Sequence, residues 1–173
     1  MKNKKAMLGI SGKIIYIVLF VISYIFQFTV FPRLGISFPV LLLIPLTIAV
    51  AMYECEFSGM FFGLLAGALW DLASPLPDGS LAFIFAVIAC VTGLLIHYIM
   101  RNTLLTALII SPSVTLFYFI FAYMFSKTGS DYEFFRSIIF THFLPSFLLS
   151  VIITIPDYFI VRAVSKLTQT EKI

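Results

Sequence analysis

The chain has 173 residues, of which 61% are hydrophobic and 11% charged, against about 25% charged in an ordinary soluble domain. With a mean hydropathy of +1.10, it holds more apolar surface than so short a chain could hide from water, which excludes a water-soluble globule and points to lipid as the solvent. Its two cysteines, Cys55 and Cys90, are too few for a disulfide scaffold, and neither stands at a metal-ligand spacing from His97 or His142.

A spanning helix needs roughly 17–25 apolar residues, so the chain has room for five or six spans and no soluble domain. The first span, at about 14–31, follows the basic start Lys2, Lys4, Lys5 and Lys13. Bulky Phe31, Pro32 and Arg33 come after it instead of a small-residue cleavage site, so an uncleaved span is expected. The second, at 38–53, is short and contains Pro45, which suggests a break or extension by loop residues. The third, at 57–73, is stopped by the turn Ser74-Pro75-Leu76-Pro77-Asp78-Gly79. The fourth covers 80–100 and the fifth 103–125. The sixth lies within 138–163, where Pro145 and Pro156 predict a kink or a late start. The expectation is an all-α integral membrane protein, one domain over 1–173 built as a bundle of six transmembrane helices.

Lys and Arg set the orientation. Six spans with the N-terminus inside place Lys2, Lys4, Lys5, Lys13, Arg101, Arg162, Lys166 and Lys172 on the inner side and Arg33, Lys127 and Arg136 on the outer. Both termini are therefore expected in the cytoplasm.

The third span holds the most informative pattern. Gly59, Gly63 and Gly67 recur every fourth residue, and Asp71 extends the row. Four residues turn a helix by about 400°, so the row shares one face. Such a face admits a second backbone at close range, either within the bundle or from a partner. Asp71, near the outer end of its helix, must be protonated, hydrogen-bonded or paired. Ser74 and the turn backbone are candidate local partners, and Arg33 and Arg136 candidate cations. Glu54 and Glu56 read as a loop pair, with Glu56 favoured at a helix start. Asp157 either reaches the inner interface or bonds near Pro156. No Walker loop, dinucleotide-binding glycines, HExxH or nucleophile elbow occurs. No catalytic, cofactor or metal site is expected, and the basic residues read as topological, with no nucleic-acid partner.

The region from Phe38 to Leu95 resembles the MreD family, the rod shape-determining membrane proteins of bacteria. The matching positions are Pro39 before an aliphatic run, Gly59, Gly63 and Gly67 at four-residue spacing leading to Asp71, and Gly79 after a Ser/Pro/Gly turn. The outer turn is richer in proline than the family pattern, and Glu54 and Glu56 stand where a basic residue is expected. The resemblance implies a non-enzymatic component of the cell-elongation machinery in the bacterial cytoplasmic membrane. It would bind MreC and help to position lateral peptidoglycan synthesis, in a machinery that includes a SEDS glycosyltransferase, a class B penicillin-binding protein and the actin-like MreB filament as further potential partners. It implies a fold similar to the substrate-binding subunits of ECF vitamin transporters, hence the alternative of a vitamin-type solute-binding subunit. That alternative would use polar groups such as Asp71, Asp78, Arg136 and His142.

Overall fold

The computed structural model describes residues 2–33, 40–54, 56–73, 79–125 and 144–170. Pro39, Cys55, the turn Ser74 to Asp78, Lys127, Arg136, His142 and the expected start of the sixth span at 138 lie outside these. The described residues are all helical or loop. Helix α1 runs over Lys2–Ile25 and continues through a π-helical turn, Phe26–Val30, into a last turn, Phe31–Arg33. Then come α2 (Leu43–Tyr53), α3 (Glu56–Asp71), α4 (Ser80–Tyr98), α5 (Leu104–Phe125) and α6 (Leu144–Thr170).

Polarity is distributed as lipid requires. Large apolar side chains face outward, such as Val18 and Ile22 on α1, Phe83 and Val87 on α4, and Leu148 and Ile152 on α6. Small polar ones are buried, including Thr47, Thr92, Ser111, Thr115, Ser150 and Thr154. In water this surface would be an aggregation hazard; in hydrocarbon it is the solvated face. Four helical segments are long and apolar enough to cross a bilayer: Gly12–Arg33, Ser80–Tyr98, Leu104–Phe121 and Leu144–Leu167. The chain is thus a multi-pass membrane protein by length and composition of its helices.

The two remaining helices are shorter. Helix α3 has 16 residues and extends about 24 Å; α2 has 11 and extends about 16 Å, against a hydrocarbon core of about 30 Å. Every residue of α2 from Leu43 to Met52 is buried. It forms the axis of the bundle and packs against α1, α3, α4, α5 and α6. Its shell of protein explains how a short helix is tolerated, because its ends meet other helices instead of lipid. Pro45 does not break it. The proline sits in the first turn, where its missing N–H has no helical acceptor in any case.

Neighbouring helices alternate in direction. Gly59, Gly63 and Gly67 of α3 face Ala89, Phe85 and Leu81 of α4, in reverse order. Ser111 and Thr115 of α5 pair with Thr154 and Ser150 of α6. Gln27, late in α1, reaches the start of α2. Tyr53, ending α2, packs on Tyr158 of α6 with ring centroids 5.7 Å apart. The early part of α1 and the late part of α6 therefore lie at the same end of the bundle. Helix α6 extends to Thr170, past the expected limit at 163, and is continuous through Pro156. Helix α5 is likewise continuous through Pro112.

Candidate functional site

The glycine row packs inside the bundle. A Cβ built on Gly63 would collide with the Phe85 carbonyl oxygen and come within 2.6 Å of Ala89 Cβ. One on Gly67 would collide with the Leu81 carbonyl oxygen and lie 2.7 Å from Ala82 N. Both encounters are with α4 backbone, which cannot rotate aside. Gly59 is less constrained: its Cβ would lie 3.3 Å from Ala51 Cα of α2. The four-residue spacing thus brings α3 and α4 into backbone contact, and α2 joins at one end. Gly93 of α4 contributes from the other side, where an added Cβ would lie 3.2 Å from Glu56 Cα.

Asp71 closes this helical pair. As the last residue of α3 it meets the negative end of its own helix, an unfavourable position taken alone. Its carboxylate instead reaches the start of α4: Leu81 N–H donates to Oδ1 at 3.2 Å and Ala82 N–H to Oδ2 at 3.0 Å. These are two of the donors a helix start leaves without intrahelical partners. Gly79 explains why the acceptor comes from so far. It is the N-cap of α4 with φ of +81°, a left-handed conformation that favours glycine, so no side chain is available there to cap. Nothing lies within 4 Å of a Cβ at Gly79; its role is conformational, and unlike the other three it makes no close helix approach. Ser74 and Arg136, two of the expected partners, lie outside the described residues; among the described residues, Arg33 included, no cation pairs with Asp71.

The same device recurs at both ends of α2. Gln27 Oε1 accepts from Leu42 N–H at 2.8 Å and Leu43 N–H at 3.1 Å. At the other end Asn102 Nδ2 donates to the Met52 carbonyl at 2.8 Å. The π-helical turn lies where Pro32 withdraws the donor that residue 28 would otherwise bond, and Phe31 N–H bonds to Phe26 O instead. Gln27 sits in that widened turn, buried. Three remote side chains therefore satisfy three helix ends in surroundings where water is scarce.

Two further features lay beyond the sequence reading. Between α5 and α6 runs a seam of fully buried hydroxyls: Thr154 Oγ1 lies 2.8 Å from Ser111 Oγ, and Thr115 Oγ1 lies 3.4 Å from Ser150 Oγ. Ser146, Ser150 and Thr154 also have four-residue spacing, the signal that singled out the glycines. Trp70, beside Asp71, is buried among Phe28, Phe85 and Tyr118, with centroids 6.3, 5.3 and 4.8 Å away. It ties α1, α4 and α5 to the capped end of α3.

At the opposite end Glu56 lies in the first turn of α3 as expected, and its Oε1 stands 3.7 Å from His97 Nδ1 of α4. Asp157 Oδ2 is buried without a hydrogen-bond partner among the described residues. Among the described residues no three His, Cys, Asp or Glu side chains gather closely enough to hold a metal. Asp71, required by the solute-binding alternative, has both oxygens engaged by α4; its proposed companions Asp78, Arg136 and His142 lie outside the described residues. Comparison with protein-family models, with curated proteins and with solved structures finds no match.

Proposed function

We propose that the chain is a non-enzymatic scaffold of the bacterial cell-elongation machinery, spanning the cytoplasmic membrane six times with both termini in the cytoplasm. In this reading it binds MreC within the bilayer and helps to position lateral peptidoglycan synthesis. The observation that carries the reading is the use made of polar side chains. Asp71, Gln27 and Asn102 hold helix ends, and the buried hydroxyls hold α5 to α6. Among the described residues, the helices offer a partner an apolar outer surface, suited to helix–helix recognition. The MreD-like pattern of Gly59, Gly63, Gly67, Asp71 and Gly79 supports it further, because these positions act together as one folded unit, the α3–α4 pair. The shared end of α1 and α6 supports the orientation, since it carries Lys13, Arg101, Arg162 and Lys166 while the other end carries Arg33.

The test is co-purification. The tagged full chain, co-expressed with MreC and extracted in mild detergent, should retain MreC through affinity purification, while an unrelated six-span protein should not. Failure of the intact wild-type chain to retain MreC would sink the proposal. Gly63→Leu is unsuitable as an interface probe, because Gly63 contacts α4 and the substitution would disturb the bundle itself.

A further inference from the structure

An open groove of about 410 Å³ lies between α1 and α3, lined by Lys13, Ile17, Phe57, Ser58, Phe61 and Phe62. Its size falls within the range of small-ligand sites. Its polarity is graded along the bundle axis. Lys13 is the second residue of the apolar segment Gly12–Arg33, and Ser58 is in the first turn of α3, so both stand at the rim where that segment begins. Ile17, Phe61 and Phe62 lie about one helical turn deeper. The floor is preformed: Phe62 is buried, edge-on to Tyr16 at 5.5 Å and stacked with Phe20 at 6.1 Å. The walls remain open, with Phe57 82% and Phe61 60% exposed.

We propose that this groove binds one anionic phospholipid, its headgroup phosphate on Lys13 and Ser58 and an acyl chain along Ile17, Phe61 and Phe62. Two observations select this occupant. The rim cation is exposed, and among the described residues no carboxylate pairs with it, so the groove has a charge to be complemented at its wet end alone. Below that point every lining side chain is apolar, which matches a lipid's own gradient from charged head to hydrocarbon tail.

The experiment is native mass spectrometry of the purified full chain, incubated separately with phosphatidylglycerol and phosphatidylcholine of identical acyl chains. Phosphatidylglycerol should be retained preferentially. Lys13→Gln should lower its retention about fivefold, Lys13→Arg should preserve it, and Arg101→Gln, a cation at the same end but outside the groove, should leave it unchanged. A photoactivatable acyl chain on phosphatidylglycerol should label the peptide containing Phe61. Lys13 is exposed, so an unchanged thermal midpoint is expected and separates lost binding from lost folding. Equal retention of the two lipids, an effect of Arg101→Gln as large as that of Lys13→Gln, or labelling away from α1 and α3 would overturn the proposal. So would occupation of the groove by a second copy of the chain, seen as a dimer cross-linked through Phe61.

Discussion

Asp71 shows what one carboxylate does where two helix ends meet. Its two oxygens satisfy two N–H groups of α4, and the positive end of that helix offsets the negative end of α3. Asp71→Ala removes both acceptors and should cost about 1–3 kcal/mol, read as a lower unfolding midpoint of the purified protein in detergent. Asp71→Asn keeps one acceptor and should fall between. If the alanine variant matched wild type, the cap would be incidental. Asp157 gives the opposite prediction. Its buried Oδ2 has no hydrogen-bond partner among the described residues, so Asp157→Leu should raise stability by about 1 kcal/mol. A lowered midpoint would mean that the carboxyl group is held by an interaction beyond the described residues. The need for a partner at Asp71 could be read from its neighbours, because a carboxylate in an apolar helix demands one. The identity of that partner could not, since it depends on Gly79 leaving the start of α4 without a capping side chain.

At the scale of elements, the glycine row determines how closely α3 and α4 approach. The three positions are unequal despite their even spacing. Gly63→Ala and Gly67→Ala each drive a methyl group into α4 backbone, whereas Gly59→Ala meets Ala51 at 3.3 Å. The first two should each cost more than about 2 kcal/mol, in the range of overpacked cores, and Gly59→Ala clearly less; chemical unfolding of the three variants gives the order. Equal effects would contradict the geometry. The common face of these glycines was visible in the sequence because four-residue spacing is a property of one helix. Which helix covers that face is a property of two, and single-chain periodicity is silent on it. The hydroxyl seam of α5 and α6 carries the same spacing, but a threonine hydroxyl can bond the carbonyl four residues back in its own helix, as Thr115 and Thr154 do, so hydroxyl spacing alone does not specify a facing helix.

For the whole molecule, some helix limits were legible, because charges and prolines interrupt the apolar runs: α4 and α5 begin and end within two residues of the bounds read for the fourth and fifth runs. The second span was the hard one. Its apolar run is too short to cross alone, and only the surrounding helices reveal it as the buried axis. Its caps, Gln27 and Asn102, come from sequence distances of 15 and 50 residues; the amide in the first apolar run was the available hint. The claim on which the functional reading rests is that all six helices cross, with alternating direction and both termini on one side. Single-cysteine labelling tests it most directly. In a Cys55→Ala, Cys90→Ala background, Leu72→Cys, Arg101→Cys and Lys166→Cys are exposed to a membrane-impermeant maleimide on bacterial spheroplasts. Leu72→Cys should be labelled on intact spheroplasts, and Arg101→Cys and Lys166→Cys only after permeabilisation. Labelling of Leu72→Cys and Arg101→Cys from the same side, or of Arg101→Cys and Lys166→Cys from opposite sides, would contradict that claim.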